Sequence, residues 1–245
     1  MRRLNLSVVI FMLLAVLCSA QQVLPALGAP SGGSSGGWII LDSARVHVWT
    51  CANASACDVT ADTTGATGEV VMAGSYGSTN PVCTSSGNTF TEVGPYISAQ
   101  ADGAIFYTVS PVTNAAQVFH CTGQFVSVSV IAFKGAVPVF DTSSYANTDP
   151  LTEVVVPSTP KELLISGVTT YTGGPTDITC WQPANASFTG LDFVQFSSGT
   201  NIQSASAYFA DLYTISIGPQ WKSDSTCAGG ADWHFGVSIL VAFKS

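Results

Sequence analysis

From Trp38 onward the chain is a succession of short apolar or alternating runs, each bounded by Gly, Pro, Asn, Asp or Ser. Val46–Trp49, Val70–Ala73, Ile105–Val109, Phe125–Phe133, Leu163–Val168, Tyr213–Ile217 and Val237–Phe243 read as strands. Phe125-Val126-Ser127-Val128-Ser129-Val130 alternates with period two, which predicts a strand with one buried face. No stretch of a dozen residues carries a 3.6-residue period. The pattern predicts an all-β protein, an antiparallel sandwich of jelly-roll-like topology.

The runs also repeat. Glu69-Val70-Val71-Met72-Ala73-Gly74 matches Glu162-Leu163-Leu164-Ile165-Ser166-Gly167 at an offset of 93. Cys83 matches Cys180 at 97 and Phe90 matches Phe188 at 98. Tyr107-Thr108-Val109-Ser110 matches Tyr213-Thr214-Ile215-Ser216 at 106, and Cys121 matches Cys227 at the same offset. Val130–Lys134 matches Leu240–Lys244 at 110. Ordered anchors of this kind predict two similar half-units, about 38–136 and 137–245, within one domain spanning 38–245. Two tandem immunoglobulin-like domains are the alternative arrangement.

The segment before Trp38 has a different character. Arg2 and Arg3 precede an apolar stretch from Val8 to Cys18, and small residues follow at Cys18-Ser19-Ala20. That order is a secretory signal peptide over residues 1–20, too short to span a bilayer. Residues 21–37, with Pro25, Pro30 and a Gly/Ser run, read as a flexible tether. The expectation is export, to the cell surface or the medium. Charge narrows the partners further. Seven Lys and Arg face 15 Asp and Glu, for a net charge of −8. So few cations exclude a nucleic-acid binder. The 29 Ser and 25 Thr suit strands and turns, not a helical bundle.

Without the signal, six cysteines remain: Cys51, Cys57, Cys83, Cys121, Cys180 and Cys227. An even number in an exported chain predicts three disulfides. The repeat selects among the pairings: Cys83–Cys121 in the first copy, Cys180–Cys227 in the second, and Cys51–Cys57 across a loop only the first copy has.

The order of strand motifs resembles a known group. A Glu-led apolar strand, Gly87-Asn88-Thr89-Phe90-Thr91, Phe106-Tyr107, an alternating Val/Ser strand and a terminal Val-Ala-Phe-Lys are similar to those of uncharacterised exported bacterial β-sandwich domains. These are of jelly-roll or concanavalin-like type and occur in surface and phage-associated proteins. The resemblance covers about Ile39 to Lys244. It implies fold and export, and it assigns no catalytic residue.

Candidate chemistry lies where the copies differ. Trp181, Trp221 and Trp233 have no aromatic counterpart in the first copy. Indole rings on a sandwich surface stack on sugar C–H faces. Trp221, Asp232, Trp233 and His234 flank Cys227, and Asp211 stands at the offset of Ile105, so a carboxylate there would line a concave face. Glu69/Glu162, Lys134/Lys244 and Tyr107/Tyr213 recur, which marks them as strand-end or inter-sheet residues, and Asp102 before Gly103 reads as a turn. A glycoside hydrolase needs two carboxyl groups across the scissile bond. Glu92 and Glu153 are the glutamates left for that role, each isolated in sequence. His47, His120 and His234 lack metal-ligand spacing, so no metal centre is expected. Oxygens around Asp58, Asp62 and Thr63-Thr64-Gly65 are the one place for a loop-bound calcium ion.

These features lead to the expectation of an exported, non-catalytic surface or binding module with glycan as its ligand class. A structural, self-associating surface component comes second, and a β-sandwich hydrolase third.

Overall fold

The computed structural model describes residues 37–42, 56–77, 79–135, 137–148, 151–172, 180–197, 201–210, 214–224 and 235–245. The signal peptide and nearly all of the tether lie outside them, as does the strand expected at Val46–Trp49. The described residues are all β. Fifteen antiparallel strands follow in order: β1 Ile39–Asp42, β2 Ala56–Ala61, β3 Gly68–Tyr76, β4 Val82–Ser85, β5 Thr91–Ser98, β6 Ala101–Val109, β7 Gln117–Thr122, β8 Ser127–Lys134, β9 Val139–Ala146, β10 Leu163–Thr172, β11 Cys180–Pro183, β12 Thr189–Ser197, β13 Asn201–Ala210, β14 Trp221–Asp224 and β15 Phe235–Lys244.

Two five-stranded sheets, β1-β8-β3-β6-β5 and β12-β13-β10-β15-β9, form the body. Read from its other edge, the second is β9-β15-β10-β13-β12, so every strand of the first sheet has a counterpart. A small sheet, β2-β7-β4, accompanies the first large sheet and β11-β14 the second. Within the first half, β1-β8-β3-β6 against β2-β7-β4 is a jelly-roll order, with β5 moved to the edge of the large sheet. The sandwich class is therefore as expected, and the jelly-roll connectivity is found inside each half. In the second half the place of β2 is taken by residues 151–157, which make one isolated bridge, Val155 to Ile217, and a Trp221 N–H bond to the Leu151 carbonyl, 3.2 Å.

This layering gives three cores. The large sheets meet through Val70, Met72, Ile105, Ile131 and Phe133 on one side and Leu163, Ile165, Ile239, Val241 and Phe243 on the other. The outer core of the first half holds Val59, Val71, Phe106, Phe119, Val128 and Val130. That of the second holds Leu164, Val168, Phe188, Leu240 and Trp221. Equivalent residues Phe133 and Phe243 touch across the middle, ring centroids 5.4 Å apart. A Cβ on Gly74 or Gly167 would enter Thr169 or Met72 of the facing sheet, so the two sheets approach there at glycine-only distance.

The central strands are thus buried on both faces, which corrects one expectation. The Val/Ser alternation does not separate inside from outside. Val126, Val128 and Val130 enter the outer core. Ser127 and Ser129 are equally buried, and Ser129 hydrogen-bonds Ser206 of the facing sheet at 2.9 Å. A hydroxyl on a buried strand is tolerated because it is paired.

The repeat holds with different offsets. Gly68 pairs with Phe133 and Leu163 with Phe243, so β3 and β10 are related by 95 rather than 93. β6 corresponds to β13, which ends at Ala210, so Tyr208 is the counterpart of Tyr107 and the match to Tyr213 fails. Residues 214–216 are not strand. From β3 onward the offset still rises, from 95 through 101 to 110. Ser204-Ala205-Ser206-Ala207 hides β13 in sequence because small residues carry little strand propensity.

All four edge strands of the two large sheets carry a register break: β1 between Ile40 and Asp42, β5 between Val93 and Tyr96, β9 at Asp141 and β12 between Gly190 and Phe193. Such bulges twist an edge away from pairing with another chain.

Candidate functional site

The outer face of the small sheet β2-β7-β4 brings together polar side chains from three separate parts of the sequence. Alternation in β2 and β7 sends Cys57, Val59, Phe119 and Cys121 inward and leaves Asp58, Thr60, Val118 and His120 outside. Register places Asp58 opposite His120 and Thr84 on its other flank. His120 Nδ1 and Asp58 Oδ1 are 2.5 Å apart, with the side chains 48% and 66% exposed. Thr60, Thr84 and Thr122 surround the pair, and Val82 and Val118 stand exposed beside it. With Nδ1 bound to Asp58, the other ring nitrogen is left for solvent or a ligand. The face offers a carboxylate acceptor, an imidazole, three hydroxyls and two apolar side chains on one sheet face.

Below this face lies the Cys83–Cys121 disulfide, between register partners of β4 and β7. The pairing is the one the repeat predicts. It joins the neighbouring strands β4 and β7. Cys57 is disulfide-bonded as well. Cys51 and Cys227 lie outside the described residues. The backbone of Cys180 is opposite Asp224 in the sheet β11-β14.

The second half carries a different cluster, inside its outer core. The Glu153 carboxyl is 2% exposed. Ser166 Oγ donates to Glu153 Oε1 at 2.8 Å and accepts from Trp221 Nε1 at 2.9 Å. Ser238 Oγ donates to Glu153 Oε2. Burial raises the Glu153 pKa from 4.5 to about 7, with the hydroxyl and indole bonds opposing it. Gly218 lets the 151–157 segment come close, since a Cβ there would collide with the Glu153 carbonyl.

Of the tryptophans expected on a sugar platform, Trp221 is a core residue, 5% exposed, its N–H spent on Ser166. It does not line a surface, because its strand turns that side chain toward Leu151 and Phe188 of the second outer core. Trp181 belongs to β11, with its backbone opposite Ser223, and its side chain is outside the described set. Asp211, Asp232, Trp233 and His234 are also outside it. Asp211 is not the counterpart of Ile105: Ile105 pairs with Met72 inside the sheet, whereas Asp211 follows the last residue of β13.

Asp102 is not a turn residue. It belongs to β6 and is fully buried, and neither carboxyl oxygen has a hydrogen-bond partner among the described residues. Burial alone lifts its pKa to about 6. Glu69, also buried, accepts from Asn88 Nδ2 at 3.0 Å. Burial raises its pKa to about 7, opposed by bonds from Thr63 and Asn88. Glu69 is the second residue of β3 and Glu162 directly precedes β10. By register Glu69 corresponds to Leu164, so the two glutamates are not equivalent positions and their expected recurrence fails.

The loop considered for calcium uses its oxygens internally. Asp62 Oδ1 accepts from the Thr64 N–H at 3.0 Å, and Asp58 is engaged by His120. Among the described residues no group of three His, Cys, Asp or Glu side chains is placed to hold a metal ion. Of the two glutamates weighed for hydrolysis, Glu92 is exposed on the edge strand β5, and Glu153 is sealed from any sugar.

No family model, no characterised protein and no solved structure matches this chain. The resemblance to exported β-sandwich domains therefore rests on the strand motifs alone.

The Asp58–His120 pair escaped the sequence because its members are 62 residues apart. The alternation of Cys57-Asp58-Val59 and Phe119-His120-Cys121 is the one signal that sends both side chains outward. Register, which the sequence does not state, puts them side by side.

Proposed function

We propose that this protein is an exported, non-catalytic surface or binding module that takes a glycan on the outer face of its three-stranded sheet. The observation that carries the reading is the exposed Asp58–His120 pair among Thr60, Thr84 and Thr122, with Val82 and Val118 alongside. A carboxylate and an imidazole accept and donate to adjacent sugar hydroxyls, while apolar side chains meet C–H faces. The three-stranded support and its disulfide hold the face in place, so little ordering cost falls on binding. The reading puts the ligand on the β2-β7-β4 face rather than at the tryptophans of the second half. It fits a module that holds a polysaccharide without cleaving it, since the buried Glu153 is withheld from the surface.

The test is retention of the full protein on a panel of insoluble polysaccharides, with reducing-end release assayed in the same tubes. Wild type is retained, and the double variant Asp58→Ala/His120→Ala is not, while both unfold at the same denaturant midpoint. Retention of the double variant would move the site away from this face. Sugar release would replace the binding reading with a hydrolase. The structural, self-associating alternative is weakened by the bulge on each edge strand of the two large sheets.

A further inference from the structure

The two halves meet at one open edge of the sandwich, where β5 of the first lies beside β9 of the second. Asn147 Nδ2 donates to the Ile97 carbonyl at 3.2 Å, and Ser98 Oγ donates to the Asn147 carbonyl at 3.2 Å. These bonds fix the two strands against one another. At this seam Tyr96 and Tyr145 stack with ring centroids 3.7 Å apart and planes within 15°. Tyr145 is 48% exposed, and Tyr96 is half-buried.

Most aromatic pairs among the described residues are unlike this one. Tyr107 and Phe140 also stack, at 5.1 Å, but only one of them is a phenol. Tyr76 and Tyr171, the other tyrosine pair, are 5.3 Å apart and tilted by 45°. Only Tyr96 and Tyr145, among the described tyrosines, are stacked phenol on phenol with solvent access. The Tyr96 hydroxyl is also raised in pKa, by burial first and by the charge of Tyr145 second.

We infer that Tyr96 and Tyr145 form an oxidative cross-linking site, at which hydrogen peroxide acting through a haem peroxidase joins the two rings as dityrosine. Each phenol gives up one electron and one proton, and the two electrons and two protons reduce one peroxide to two waters. The two phenoxyl radicals then couple through the ring carbons ortho to oxygen, forming one C–C bond. The hydrogens on those carbons leave as protons and return to the phenolic oxygens as aromaticity is restored. The net change is the loss of two hydrogen atoms. Stacking favours this outcome because the second radical need not be found by diffusion, so intramolecular coupling outruns coupling between molecules. The bond would link the halves covalently, whereas the Cys83–Cys121 bridge lies within the first half.

The experiment treats the dilute full-length protein with hydrogen peroxide and horseradish-type peroxidase. Dityrosine fluorescence should rise in the monomer band, with a mass lower by two hydrogen atoms. Protease mapping should recover one cross-linked species joining the Tyr96 and Tyr145 peptides. Tyr145→Phe and Tyr96→Phe should each abolish that species, and Tyr171→Phe should leave its yield unchanged. Both edge variants keep the ring, so their unfolding midpoints should stay near wild type. A monomer without dityrosine, dityrosine mapping to other tyrosines, or cross-links only between molecules would each overturn the assignment.

Discussion

The two outer cores occupy the same place in the two halves and are closed in different ways. In the first, Val71 and Val128 face Val59 and Phe119 in an apolar interior, and a disulfide joins the covering strands. By register, Val71 becomes Ser166 and Val128 becomes Ser238 in the second. There the two serines hold Glu153, and Trp221 completes the cluster. The covering strand has changed too: β2 pairs along six residues with β7, while residues 151–157 make a single bridge. A segment with so few backbone bonds needs another anchor, and the Glu153 carboxyl supplies it. A duplicated frame therefore does not require a duplicated interior. It requires that each buried polar atom be paired wherever one is introduced.

Breaking each closure in turn should separate the two devices. Replacing Cys83 and Cys121 with serine should cost ~2–5 kcal/mol, read as a lower denaturant midpoint. The fluorescence of Trp221, in the other core, should keep its native signature below the transition. Glu153→Ala strands two hydroxyls and opens a cavity, so a loss of about 2–4 kcal/mol is expected at pH 5. Glu153→Gln keeps the shape and sharpens the comparison through pH. The folded pKa of Glu153 lies above the unfolded value, so its stabilising share is full below about pH 4.5 and is lost as pH rises through about 7. Glu69 behaves in the same sense, and Asp102 does so between about 3.8 and 6. Wild type should therefore be most stable in mild acid and weaken toward neutrality. Glu153→Gln should shrink that fall by up to ~3 kcal/mol between pH 4.5 and 8, whereas an unchanged slope would refute the buried-carboxyl account.

Smaller effects follow from single bonds. Trp221→Phe retains the ring and removes the Ser166 contact, with an expected loss of ~1 kcal/mol in urea titration. Asp141, held by Lys244 at 2.8 Å, has its pKa lowered to about 2. Burial opposes that shift, and the bonds from Lys244 and Ser158 outweigh it. Its contribution is present above about pH 4 and disappears as pH falls through about 2, so Lys244→Met should blunt the acid limb of the stability profile. Asp58→Ala, on the exposed face, should change stability by under ~0.5 kcal/mol.

Much of this architecture was legible along the chain. Bulky apolar runs marked β3, β6, β8, β10 and β15, because central strands must fill two interiors. The Cys83–Cys121 pairing followed from the repeat. What stayed hidden depends on pairing or on small residues. The middle of β13 is Ser204-Ala205-Ser206-Ala207, which announces no strand, and its neighbour Tyr213 drew the alignment off by several residues. Asp102 looked like a turn because Asp-Gly is a turn signal. In the fold, the tight connection falls just before it, at Ala99 and Gln100. Trp221 could not be told from a surface ring, because whether an aromatic points in or out is set by the facing layer.

The glycine-only spacing at Gly74 and Gly167 bears on what a half can be by itself. Cut at the junction, the first half would present Val70, Met72, Ile105, Ile131 and Phe133 to water. That is the surface of an obligate partner. Here the partner is written into the same chain, and the short connection from Lys134 to Val139 supplies it at a fixed local concentration. Association of the halves has become independent of how much protein is present, so stability should not vary on dilution. A half produced alone should recover that dependence and demand its mate in solution.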